Sequence, residues 1–517
     1  MRIQIAHSAV DRFAGELVAT ALMRSFTSAQ VAWGAGAIIA DGLETTVWIN
    51  PPESACADLA RTLASGGKAV VLGRLGPRVA ATLGLELHGD LDLPSDWADC
   101  QRDARRHHDV SPVAIHYDDS HPLAALSPLC ARPLCRFDFA DEWNNLGFGR
   151  ITLDRSAWSL QSAVEISDAA SIARMVTPQG DRWVYAALQE TGRGAALWFN
   201  RPVGPIDSLE WRVVESFLGD YRPEDLPCFP YVLETPFGYS GAVCARLDCD
   251  EAVATSRPLF DLYQDQGLPL SLAVLTGQTL DRHDLQLMRE VIAHGGSVVS
   301  HSARHAPNWG GCYEKAFVEA LESRAWIEKH LPEAAPVRFA VSPFHQNPPY
   351  AVAALANAGY DGFVGGIIAN DPEYLLGRAG RVPFASRPMV SLSTQCMLHG
   401  DCYRRYGNSI DTYQESFAQH LSANSIFGYL DHPFSTRYQY GWDDEATCLG
   451  AHRQLIEHVR QQPGIWWASL SDALEFLRQR DQTQIAVDGG NVSWKNGSTG
   501  GGLPPLAIMW KGRQLAA

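Results

Sequence analysis

Ala245-Arg246-Leu247-Asp248-Cys249-Asp250-Glu251 is the stretch from which the fold and the chemistry of this chain are read. Apolar Gly241-Ala242-Val243-Cys244 leads into it, so three acids stand where a buried strand should end. Carboxylates are seldom buried without a partner or a metal. On an extended strand residues i and i+2 share a face, so Asp248 and Asp250 converge on one spot. Metal-assisted hydrolysis uses such a pair, one carboxylate on the ion and one taking a proton from water. The competing reading of the same acids is a helix cap or a turn.

Downstream, strand and helix alternate. Strands are expected at 243–247, 270–275, 297–300, 337–341, 362–364, 427–430 and 466–470, with helices at 258–264, 285–293, 314–330, 350–358, 413–423 and 445–460. Some seven units in about 240 residues predict a distorted (β/α)7 barrel over 226–480, whose functional residues gather at the C-terminal ends of strands. Beyond it, 481–517 is rich in Gly pairs such as Gly489-Gly490 and in short β-prone runs such as Asn491-Val492-Ser493-Trp494. It is expected to be a small β extension.

Upstream, Tyr221-Arg222-Pro223-Glu224-Asp225-Leu226-Pro227 reads as a linker, which makes 1–225 a domain of its own. Ile3-Gln4-Ile5-Ala6, Thr45-Thr46-Val47-Trp48-Ile49 and Lys68-Ala69-Val70-Val71-Leu72 alternate there with helical spacing, the pattern of a parallel α/β sheet. Two further runs, 183–188 and 195–199, flank Gly192-Arg193-Gly194 as a β-hairpin. The region resembles the flavodoxin-like α/β domains of the glutamine-amidotransferase type. It has no nucleophilic Cys in an elbow context, so a structural or glycan-contacting role is expected. Gly73-Arg74-Leu75-Gly76 lacks a full phosphate-loop pattern and reads as a strand–helix turn.

The chain has 517 residues, 46% hydrophobic and 19% charged, enough for two or three domains with sizeable cores. A formal net charge of −16 argues against nucleic acid as a partner. No run of about 18 apolar residues marks a membrane helix, and the N-terminus lacks a signal peptide's apolar core. The 11 cysteines are scattered, without a zinc-type Cys-x-x-Cys, as in a reduced cytoplasmic protein.

About fifty residues past the acidic strand comes Gly295-Gly296-Ser297-Val298-Val299-Ser300-His301-Ser302-Ala303-Arg304-His305. Two imidazoles four apart after a strand can meet one divalent ion, with a carboxylate from another strand completing the protein ligands. A chain with 17 histidines also contains this spacing by chance.

Taken together, the Asp-x-Asp strand end, the Gly-Gly-Ser-Val-Val-Ser-His-Ser-x-x-His run and Leu430-Asp431-His432-Pro433 resemble the polysaccharide deacetylase family, the NodB-homology domain. The resemblance spans roughly 236–478. The Cys between the two aspartates is closer to the branch containing the deformylase of lipid-linked 4-formamido-arabinose. It implies Asp248 as general base, Asp250, His301 and His305 as metal ligands, and His432 as the acid that protonates the leaving group. Glu251 is an alternative to either aspartate. Two motifs depart from the family. Arg338-Phe339-Ala340-Val341-Ser342-Pro343-Phe344 keeps the Pro without the Arg beside it, and Asp361-Gly362-Phe363-Val364-Gly365-Gly366 has no clear counterpart. Arg338 or Arg246 would then steady the catalytic Asp.

The expected function is metal-dependent removal of an N-acyl group, acetyl or formyl, from an amino sugar. The substrate is expected to be a nucleotide-linked, lipid-linked or oligosaccharide precursor of a surface polysaccharide in the cytoplasm. Zn²⁺ is the default ion, with Fe²⁺, Co²⁺ or Mn²⁺ also suited to two histidines and a carboxylate. The alternatives are an inactive barrel that binds glycan or a partner, and a glycosidase. The aromatic run Tyr438-Gln439-Tyr440-Gly441-Trp442 is a candidate sugar platform or ordinary packing, and His399-Gly400-Asp401 a lesser candidate loop.

Overall fold

The computed structural model describes residues 1–33, 45–92, 114–123, 131–133, 155–177, 179–180, 182–205, 210–365, 378–392, 395–405, 407–488, 490–496 and 502–517. Gly366 and Gly489, which entered the sequence reading, lie outside them.

The first sheet has nine strands and is mixed. Ile3–Ala6, Val31–Ala32, Thr45–Ile49, Lys68–Leu72 and Ala195–Phe199 run parallel. Thr45–Ile49, Lys68–Leu72 and Ala195–Phe199 are buried at every position, as central parallel strands are. Ala195–Phe199 then pairs antiparallel with Arg182–Glu190, Glu190 facing Ala195, and that hairpin extends the sheet through Ser171–Val176 and Ala114–Tyr117. The expected hairpin is therefore present, with Gly192 at φ +80 in its turn. It also makes the sheet mixed where a parallel flavodoxin-like sheet was expected.

The second sheet is built on Gly241–Cys249, nine residues buried throughout. It pairs in parallel with Ser271–Val274 on one side and Ile426–Asp431 on the other, while Ile465–Ala468 joins its first half. The parallel series continues through Val298–Ser300, Phe339–Val341, Gly362–Val364 and Val390–Ser391. All seven expected strands exist. The last ends early because Ser469 caps the helix Leu470–Gln482, its side chain accepting from the Asp472 N–H.

The sheet curls without closing. One edge is Gln395–Met397 and the other the antiparallel Gly380–Arg381, and among the described residues these edges do not pair. The expected (β/α)7 barrel is thus a half-barrel. Its antiparallel edge is covered by helix Arg12–Gln30, which packs on the first sheet. Arg24, on helix Arg12–Gln30, donates to the carbonyls of Arg378 (2.8 Å), Gly380 (3.3 Å) and Arg381 (2.7 Å), and a covered edge needs no further strand.

Alternation along Gly241–Cys249 sorts its two faces. Val243, Ala245, Leu247 and Cys249 pack under the outer helices. Ala242 and Cys244 face the hollow of the curl with Leu470, Leu474 and Leu477 of the last helix. Leu470–Gln482 therefore plugs the lower part of the concave face. Arg246 and Asp248 continue that face above it. The C-terminal extension makes two small β units. Gln484–Asp488 pairs with Asn491–Lys495, and Ala507–Trp510 pairs with both Arg513–Ala516 and the linker strand Tyr231–Val232.

A buried ion cluster joins the two sheets. Glu215, on helix Trp211–Gly219, takes Arg378 (2.6 and 2.8 Å), Arg212 (3.1 Å) and the Ser25 hydroxyl (2.6 Å). Burial opposes ionisation of Glu215, but the two guanidiniums win and hold it down at about 2. Its stabilisation is present above the ordinary carboxylate range and is lost as pH falls toward that value. Glu215→Ala leaves two buried guanidiniums short of an anion, at an expected cost of about 3–5 kcal/mol in denaturant unfolding. A loss below 1 kcal/mol would show the cluster to be dispensable.

Candidate metal centre

The site stands above the helix plug, at the C-terminal ends of three parallel strands. Asp248 is the last concave-face residue of Gly241–Cys249, and Asp250 lies one step beyond the strand. His301 follows Val298–Ser300, and His432 follows Ile426–Asp431.

Asp250 Oδ1 lies 3.1 Å from His301 Nε2 and 3.5 Å from His305 Nε2, and the two imidazole nitrogens are 3.1 Å apart. His301 gives its Nδ1 proton to the Val341 carbonyl (3.0 Å), so Nε2 is the ring nitrogen that a metal would take. Burial opposes a charge on the ring, but Asp248 and Asp250 raise its pKa, a pull toward positive charge that a cation would answer. Asp250 Oδ1 is buried without a hydrogen-bond donor. Three acceptor atoms thus converge within 4.8 Å. Arg246 neutralises Asp248, but no lysine or arginine pairs with Asp250 among the described residues. That donor set, one carboxylate and two imidazoles, fits a divalent cation. Burial and the adjacent His301 press His305 down to about 4, which keeps it the neutral imidazole that a metal takes.

Asp248 is buried and gripped by Arg246, Nε to Oδ1 at 2.8 Å and Nη2 to Oδ2 at 3.3 Å. Burial alone would raise its pKa, but Arg246 and then His301 hold it well below the usual carboxylate range. Of the two arginines that could steady it, Arg246 does so. Arg338 is engaged elsewhere, with Asp361 and with Glu475 at 2.8 Å. Asp361 also takes Arg387, so it stands in a structural ion network at the opposite end of the strands. Glu251 is outside the three-residue group.

His432 places Nε2 3.5 Å from Asp250 Oδ2, and its ring lies flat on Tyr440, centroids 4.4 Å apart and planes 13° apart. The preceding Asp431 is wholly buried. It accepts from the His432 N–H (2.7 Å), the Trp442 indole (3.0 Å) and His452 (3.1 Å), and so fixes the backbone on which His432 stands. Trp442 is consequently packing and not a sugar platform. Tyr438 is 40% exposed, and Phe344, its ring centroid 4.4 Å from that of His305 and its plane tilted by 56°, is 42% exposed. Phe344 thus stands beside His305, and Tyr438 beside Tyr440 at 6.3 Å between centroids.

The histidine loop has an unusual backbone. Ser302 (φ 66) and His305 (φ 53) are left-handed, as are Phe344, His345 and Tyr440 around the same pocket. Such residues cost of order 1–3 kcal/mol each and persist where the surroundings hold them. Here Glu319, on helix Tyr313–His330, accepts from the N–H groups of Ala303 (3.0 Å) and Arg304 (2.7 Å) and pairs with the Arg304 guanidinium (2.7 Å). The Ser302 hydroxyl takes the His305 N–H at 2.9 Å. From the turn after strand Ser271–Val274, Gly277 donates to the Ala303 carbonyl at 2.7 Å, and a Cβ at 277 would stand 2.1 Å from that oxygen. Only glycine fits there.

Three site residues escaped the sequence reading or were ranked low in it. His345 is buried, its Nδ1 unbonded, and is pushed to about 3 by burial and then by Arg246. His399 lies edge-on to His432 at 5.5 Å and is held at about 4, chiefly by burial. Tyr440 is the third. None carries a spacing rule, although His345 directly follows the Pro343-Phe344 pair.

No family model matches the chain, and no curated protein does. Solved structures do. A Mycobacterium smegmatis protein assigned as a polysaccharide deacetylase is 14% identical over 47% of this chain and 92% of its own, with a TM-score of 0.37. The chitin deacetylase of Colletotrichum lindemuthianum is 13% identical over 46% and 89%, TM-score 0.32. A family 4 acetyl xylan esterase of Clostridium thermocellum, solved with a cobalt ion, is 13% identical over 45% and 89%, TM-score 0.30. Structural matches to polysaccharide deacetylases and family 4 carbohydrate esterases thus cover about half of the chain, at low sequence identity.

Proposed function

We propose that this protein is a metal-dependent hydrolase that removes an N-acyl group, acetyl or formyl, from an amino sugar. The observation that carries the reading is the convergence of Asp250, His301 and His305 beside the Arg246-paired Asp248 and the Tyr440-stacked His432. Asp250, His301 and His305 would hold the ion, which supplies Lewis-acid polarisation of an acyl carbonyl and acidifies water. Asp248 takes a proton from the attacking water. Arg246 makes it a weak base but keeps it oriented and always in the accepting form. His432 gives a proton to the departing nitrogen, without which an amine leaves poorly. Phe344 and Tyr438 offer faces for a sugar ring. Unpaired thiols among the described residues, Cys228, Cys244 and Cys396 among them, suit a reducing cytoplasm and a nucleotide- or lipid-linked precursor as substrate.

The test is a panel of N-acetyl and N-formyl amino sugars, free and nucleotide-linked, with the released carboxylate measured. Acyl release from none of them, by protein that binds one ion, would favour the glycan-binding alternative. Reducing-sugar release without acyl release would favour a glycosidase.

Three variants probe the roles. Asp248→Asn should keep the ion and lose about 10²–10⁴ in acyl release, because a base is lost and not a ligand. Ion lost in Asp248→Asn and kept in Asp250→Asn would reverse the two assignments. Glu319→Gln removes the charge that holds the histidine loop and should weaken metal affinity about 10–100-fold, as supporting partners of ligands generally do. Calorimetric titration with Co²⁺ reads this directly, and an unchanged affinity would make Glu319 a purely structural residue.

A further inference from the structure

Strand Lys68–Leu72 opens on a lysine with no exposed surface. Its Nζ donates to Cys228 Sγ at 3.1 Å, and it lies 5.5 Å from the centre of the Phe217 ring. Cys228 is buried too, in the linker between helix Trp211–Gly219 and strand Tyr231–Val232, with its Sγ 3.5 Å from the Tyr221 carbonyl. Among the described residues no carboxylate lies within ion-pair reach of Lys68; Asp220 acts on it only at longer range. Buried lysines ordinarily have a charged partner, and here the hydrogen-bond partner is a thiol.

Burial lowers the Lys68 ammonium and raises the Cys228 thiol. Both shifts favour a neutral amine against a neutral thiol, two nucleophiles in contact. The half-buried Arg222 acts electrostatically on Lys68, and the exposed Lys511 on Cys228. A small oxidant reaches such a place through local opening.

We propose that Lys68 and Cys228 form an oxidation site, at which hydrogen peroxide joins Nζ to Sγ through a single oxygen atom. One N–H and the S–H bond break while N–O and O–S bonds form. Nitrogen and sulfur each give up two electrons, two peroxides accept the four, and three waters leave. A direct sulfur–nitrogen bond would require the two atoms to close by more than an ångström in a packed interior. One bridging oxygen spans most of the observed gap. The product ties a central strand of the first sheet to the linker that leads to the second. Two equivalents of a dithiol return amine, thiol and water.

The experiment treats the full-length protein with a modest excess of hydrogen peroxide and maps its peptides by mass spectrometry. The expected result is one species in which the Lys68 and Cys228 peptides are joined, heavier than their sum by about 14 Da, the mass of one oxygen less two hydrogens. Dithiothreitol should separate them, and Cys228→Ser and Lys68→Arg should each abolish the joined species. Cys228 carried only to sulfenic or sulfinic acid, or left unoxidised while the half-buried Cys56 and Cys312 react, would overturn the proposal. The wild-type map decides even if a variant fails to fold.

Discussion

His301→Ala is expected to abolish metal binding, and turnover of an N-acyl amino sugar should fall to background with it. His301 is buried, its ring is locked by the Val341 carbonyl, and its free Nε2 meets Asp250 and His305 within 3.1 Å. Removing it leaves one carboxylate and one imidazole, too few protein ligands for a catalytic ion. The loss should exceed the roughly 10–100-fold that supporting partners of ligands cost. Elemental analysis of stripped and reloaded protein reads it, alongside a circular-dichroism spectrum that shows the variant folded. A variant that carries as much ion as the wild type would mean that the cluster is not the metal site.

His432→Ala should lower kcat by about 10²–10⁴ while ion content and KM stay near wild type. The imidazole stands at the pocket mouth, 3.5 Å from Asp250 and stacked on Tyr440. Its backbone is held independently of its ring, through the Asp431 carboxylate, so truncating the ring leaves the strand end in place. The competing role for His432 is packing against Tyr440. In that case the variant loses stability and keeps its turnover per folded molecule.

The second sheet was legible because its strands and helices carry clean periodicity. The strand 243–247 expected from apolar spacing extends to Gly241–Cys249, and the helix 445–460 is found unchanged. The Asp-x-Asp and His-x-x-x-His spacings translate directly into side chains at strand ends, where alternation and loop length leave few options. Closure of the curl was not legible, because it depends on what covers the last edge. Arg24 does this from more than 350 residues away in the chain, and no local pattern carries such a contact. The mixed character of the first sheet follows from a hairpin that was itself foreseen, yet hairpin chemistry says nothing about which neighbour it extends. Arg246 illustrates the same limit within the site. An arginine two residues before an aspartate on a strand shares its face, but whether it pairs with that aspartate depends on burial of both, which only the packed sheet supplies. His345 and His399 are single histidines after the short strands Phe339–Val341 and Gln395–Met397, with no spacing rule to mark them.

The most direct measurement is carboxylate release during stepwise Co²⁺ titration of metal-stripped protein, on the best N-acyl amino sugar of the panel. The expected result is activity that climbs linearly, breaks at one equivalent of ion, and is absent at every equivalent in His301→Ala. Release that is full before any ion is added, or that rises equally in wild type and His301→Ala, would contradict a hydrolytic metal centre at Asp250, His301 and His305.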